Sequence, residues 1–138
     1  MMNTHYSLTD LDFEEQFKRG ILNPEIFDHE AHLRLAWLQI NKYGVKKAEE
    51  HIHDQLLEYV SHLGAGHKYN KTLTIASVKA VYHFMLKSKS DTFRNFILEF
   101  PRLKHNFKNL LNAHYGFDIF NSDSAKKEFL EPDLLPFD

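Results

Sequence analysis

The chain has 138 residues and a mass of 16.3 kDa, enough for one domain with one core. Its 43% hydrophobic, 26% charged and 14% aromatic residues exclude a disordered or collagen-like chain. A net charge of -2 excludes a general polyanion binder, and the absence of cysteine excludes disulfides, thiolate-ligated zinc and thiol catalysis.

Periodicity predicts helices almost throughout and no strand alternation, so the expected fold is all-α, a single-domain bundle of about five to seven helices over residues 1–138. Thr9 caps a first helix to about Arg19, with acids in its early turns, bases in its last and Gly20 beyond. Asp28 caps a second from His29 to Tyr43, closed by Gly44. A third runs from Val45 to Leu63, where Val45, Ala48, Ile52, Leu56, Val60 and Leu63 form the clearest apolar stripe. Asn70 caps a fourth from Lys71 to about Lys87. Ser90 caps a short fifth ending before Pro101, and a sixth follows from Arg102 to His114. A last short helix lies near Ser122 to Phe129, before a proline-containing extended tail from about residue 131.

Of the ten histidines, most have no partner at a useful spacing. His51 and His53, two apart on the third helix, point to different sides. His29 and His32 differ, because at about 100° per residue both fall on the inward stripe that carries Leu33, Ala36 and Ile40. Two imidazoles three residues apart on one face can converge on a metal ion or a polar ligand. The spelling His29-Glu30-Ala31-His32 is one residue short of the zinc-protease motif, so that activity does not follow. Short connections make consecutive helices antiparallel, which brings the start of the fourth helix, with Tyr69, Asn70, Thr72 and Thr74, beside the start of the second. His62 and the Arg102–His105 stretch should visit the same end, over an apolar floor containing Trp37. The predicted ligand-binding set is therefore His29, His32, Tyr69, Asn70, Thr74 and Trp37, with His29 and His32 as candidate ligands of a divalent transition metal. A metal there would need a carboxylate, Glu30 or Asp28, against the positive end of the helix dipole. The same residues also admit a purely structural reading, with first-turn histidines bonded to a loop and Asn70 acting only as a cap. No catalytic residue is assigned, and whether the chain is an enzyme stays open.

The string Phe27-x-His29-x-x-His32-Leu33-Arg34-x-Ala36-Trp37, the later Lys68-Tyr69-Asn70-x-Thr72-x-Thr74 and the closing Glu131-Pro132-Asp133-Leu134 resemble a family of small uncharacterised bacterial all-helical proteins. The resemblance implies that the two motifs belong to one site. In the family pattern a histidine follows the tyrosine of the second motif; here Asn70 stands at that position, leaving His29 and His32 of three histidines.

Charge is uneven along the chain. Residues 66–108 carry 9 Lys or Arg against 2 Asp or Glu, a local charge of +7, between two acidic segments. Lys87, Lys89, Arg94, Arg102, Lys104 and Lys108, interleaved with Phe93, Phe96 and Phe107, define an alternative reading as a non-catalytic module binding protein or nucleic acid. The aromatics sit at inward spacing and no nucleic-acid-binding signature occurs, which disfavours nucleic acid and leaves a solvated face or one that pairs with a second copy in a homodimer. No window approaches a membrane span and no leader is evident, so a cytoplasmic protein without membrane contact is expected.

Overall fold

The computed structural model describes residues 4–137, and every regular element among them is helical. In chain order these are α1 (Asp10–Lys18), α2 (His29–Tyr43), α3 (Val45–His62), α4 (Lys71–Met85), α5 (Phe93–Glu99), α6 (Arg102–His105), α7 (Phe107–Asn112) and α8 (Asp123–Lys127). Single 3-10 turns at His5–Ser7, Pro24–Ile26 and Gly66–Lys68 were not foreseen from periodicity, which a three-residue turn is too short to display.

The helix starts follow the capping chemistry of the sequence. The side chains of Thr9, Asp28 and Asn70 accept bonds from the backbone N–H of Asp12, Ala31 and Leu73 at 3.1, 2.9 and 2.9 Å. Gly44 turns the chain between α2 and α3 at a φ of 84°, where a side chain would be strained. Two boundaries differ from expectation. Thr92, not Ser90, caps α5, because the Ser88 and Ser90 hydroxyls both bond the Glu99 carboxylate at the other end of that helix. The single helix expected over Arg102–His114 is broken at Asn106, whose φ of -142° leaves the helical region and whose side chain accepts from Asn109. That break turns seven expected helices into eight.

Helices α2, α3 and α4 pack on one another as the centre of the bundle, α5 and α6 cover α2, and α8 lies on α4. The larger apolar cluster joins Phe13 and Phe17 of α1 to Leu33, Ile52, Val78 and Phe96 from the central helices and α5. A smaller cluster under the C-terminal segment holds Ala76, Leu111, Tyr115 and Ile119, and Phe107 packs against both. Burying one such large side chain is worth about 2 kcal/mol, so the clusters carry most of the drive to fold. The segment beyond α8 is pinned rather than loose. The Thr72 hydroxyl, fully buried, donates to the Glu128 carbonyl at 2.8 Å and accepts from the Leu130 N–H at 3.0 Å. Tyr115 donates to the Leu130 carbonyl at 2.8 Å.

The N-terminal segment is held by a buried cation. Arg34, 4% exposed in the middle of α2, donates to the carbonyls of His5 and Leu8 at 2.6 and 3.0 Å and to Asp10 at 2.7 Å. His5, fully buried, bonds Glu30 through Nε2 at 2.8 Å, and Lys104 reaches the other oxygen of Glu30 at 3.2 Å. No helix among the described residues is long and apolar enough to cross a membrane.

Candidate functional site

A cavity of about 530 Å³ lies between α2, α3 and α4, with Phe107 and Phe120 also on its lining. Its walls are mainly apolar because three stripes meet there, Leu33 and Ala36 from α2, Ile52, Leu56 and Val60 from α3, and Leu73 and Val78 from α4, and one cation, Lys68, also lines it. The first turns of α2 and α4 both open into it, as antiparallel connectivity requires of alternate helices. The volume lies in the range of sites for drug-sized molecules.

His29 and His32 line this cavity. The His29 Nε2 donates to the Leu103 carbonyl at 2.9 Å, which ties α2 to α6, and its ring leans on Phe107 with centroids 4.8 Å apart. His32 stacks one face on Phe27, with centroids 4.0 Å apart and ring planes 18° from parallel. The residue is exposed to solvent on its cavity side, while protein packs around the rest of the ring. That surround pushes its pKa down from 6.5 to about 4, with His29 lowering it further and Asp28 opposing. His32 is therefore a neutral imidazole at pH 7, one donor and one acceptor, and among the described residues it makes no hydrogen bond of its own.

The pKa shift carries a sign. Because the folded chain holds His32 unprotonated while the unfolded chain protonates near 6.5, folding releases a proton between about pH 6.5 and pH 4. Stability is thus complete above pH 6.5 and falls as the pH drops toward 4. In urea unfolding across this range, wild type should lose stability relative to His32→Phe as the pH falls; parallel curves would refute the shift.

The second motif is present at the same place but largely occupied by structural duties. Asn70 lines the cavity, yet its Oδ1 caps α4 and its Nδ2 donates to the Ile119 carbonyl at 2.7 Å. The Thr74 hydroxyl donates to the Asn70 carbonyl at 2.9 Å, and the Ser77 hydroxyl donates to the Leu73 carbonyl at 2.6 Å. Tyr69 lines the cavity and directs its hydroxyl outward to the Nδ1 of His53 at 2.6 Å; burial pushes its pKa up to about 12, so it donates there. Trp37 lies elsewhere. It sits about 80° round α2 from His29 and packs against Phe93 and Phe96, with centroids 6.2 and 6.4 Å away. His62 is exposed beside Glu58, and Arg102 and His105 do not line the cavity.

The metal expectation meets an unsuitable donor set. Among the described residues no group of three or more His, Asp or Glu is placed to hold an ion. Asp28 is spent on the cap of α2, and Glu30 is bonded to His5 and Lys104. His29 and His32 would supply two nitrogens, fewer than a stable transition-metal site needs.

The basic segment does not form a stacking platform. Phe93 and Phe96 are buried and Phe107 is a cavity wall. Lys104 pairs with Glu30, Lys87 with His83, and the Arg94 guanidinium lies 4.0 Å above the Tyr6 ring. What the sequence reading missed is the share of α3, Ser77, Phe107 and Phe120 in the cavity; the stripe on α3 was visible, but not that it faces a void. It also missed the buried His5 network, for which the signal was an arginine inside an apolar helix face. No family model, curated protein or solved structure matches this chain.

Proposed function

We propose that this chain binds a small molecule with an apolar body and an uncharged hydrogen-bonding group, the body held between α2, α3 and α4 and the polar group at His32. The observation that supports this most directly is the pairing of a 530 Å³ apolar cavity with an imidazole that lines it and has no hydrogen-bond partner among the described residues. His32 is exposed on its cavity side, so a ligand hydroxyl or amide can take the place of water at its ring nitrogens while the hydrocarbon covers the apolar walls. With a pKa near 4, His32 is a weak base, which favours hydrogen bonding over proton abstraction and hence binding over catalysis. The apolar walls shift the expected ligand from a small polar molecule to one whose bulk is hydrocarbon. A metal is not required.

Isothermal titration with 1-decanol tests the reading. Binding in the micromolar range is expected, with His32→Phe weakening it about fivefold, the worth of one hydrogen bond. Neither heat nor a change in melting temperature at saturating 1-decanol would defeat it.

A further inference from the structure

A second concavity adjoins the first. A cleft of about 510 Å³ lies between α3, the Gly66–Lys68 turn, the start of α4 and α8, and three lysines, Lys71, Lys126 and Lys127, line it together with His53 and His67. One carboxylate, Asp123, opposes them. Three lysines elsewhere have carboxylate partners, Lys42 with Glu14, Lys79 with Glu49 and Lys104 with Glu30. Among the described residues none of the three cleft lysines forms an ion pair. Like charges gathered in a concave surface repel one another, and a bound anion relieves that repulsion. The field is felt inside the cleft, since Lys71 adds to burial in holding the His53 pKa below its usual value.

Tyr69 is common to the two concavities. Its ring lines the apolar cavity, and its hydroxyl is anchored to His53, which lines the basic cleft. The mainly apolar cavity and the cationic cleft thus meet at Tyr69. Resting on the reading that the cavity holds a small molecule, we infer that the ligand is an anionic amphiphile, its hydrocarbon in the cavity and a carboxylate or phosphate group past the edge of Tyr69 among Lys71, Lys126 and Lys127. Lysines suit such a group as mobile point charges that accept varied head-group geometry.

The test compares ω-hydroxy fatty acids of 8, 10 and 12 carbons with n-alcohols of the same lengths, titrated into the full chain at pH 7.5. Each pair shares chain and hydroxyl and differs by one carboxylate. At the best chain length the acid should bind at least about tenfold tighter than the alcohol, and the advantage should shrink as salt rises. In Lys126→Gln/Lys127→Gln, and separately in Lys71→Gln, each checked for folding by circular dichroism, acid affinity should fall toward that of the alcohol. Acid and alcohol of equal affinity, or an acid advantage that survives in both variants, would overturn the assignment of the cleft while leaving the cavity reading intact. If neither acids nor alcohols bind, the cavity reading fails and this proposal falls with it.

Discussion

Arg34→Ala is expected to destabilise the protein by about 3 kcal/mol and to lower its melting temperature by roughly 10 °C. The guanidinium is nearly inaccessible and spends its donors on the backbone carbonyls of His5 and Leu8 and on the Asp10 carboxylate. Removing it takes away the side-chain donor of the Leu8 carbonyl and leaves the His5 carbonyl with only the Leu8 N–H at 3.2 Å, and it also removes the cation lying 4.7 Å from the centre of the Phe13 ring. Asp10 is exposed at its outer side, so its ion pair with Arg34 contributes little of the total; the lost bonds to backbone carbonyls dominate. Urea denaturation at pH 7 measures the effect, and a loss below about 1 kcal/mol would mean that residues 5–10 are not held by this side chain.

Ser77→Phe should do the opposite to stability while abolishing binding. Ser77 lines the cavity one turn beyond Leu73, and its hydroxyl only folds back onto its own helix. A phenyl ring there fills part of the void with apolar surface, worth about 1–2 kcal/mol, and occupies the space a ligand body needs. The melting temperature should rise by a few degrees as affinity for 1-decanol falls at least about a hundredfold. Unchanged affinity in a folded variant would place the binding site outside this cavity.

The parts of the fold that depend on local chemistry were readable in the sequence. Caps at Thr9, Asp28 and Asn70 and turns at Gly20, Gly44 and Gly64 announce themselves because the side chain or the positive φ acts within four residues. Helical periodicity together with antiparallel connection was enough to bring His29 and His32 to the Tyr69–Thr74 stretch. What long-range packing decides was not readable. The break at Asn106 competes with a continuous apolar pattern through Leu103, Phe107, Leu110 and Leu111, and only the break aims Phe107 at the cavity. Whether Asn70 recognises a ligand or ties down Ile119 depends on a residue 49 positions away. Trp37 was expected as part of the apolar floor of the site, whereas the side of α2 it occupies belongs to Phe93 and Phe96.

Two residues that line the cavity are bonded to partners far away in the chain, His29 to Leu103, 74 positions away, and Asn70 to Ile119, 49 away. The α2, α3 and α4 helices meet through short connections, so they can assemble early at small entropic cost, whereas each of these two contacts must close a long loop first. The void is therefore expected to be completed after the main barrier to folding has been crossed. A molecule bound there should then slow unfolding and leave the folding rate as it was, which stopped-flow folding with and without 1-decanol measures.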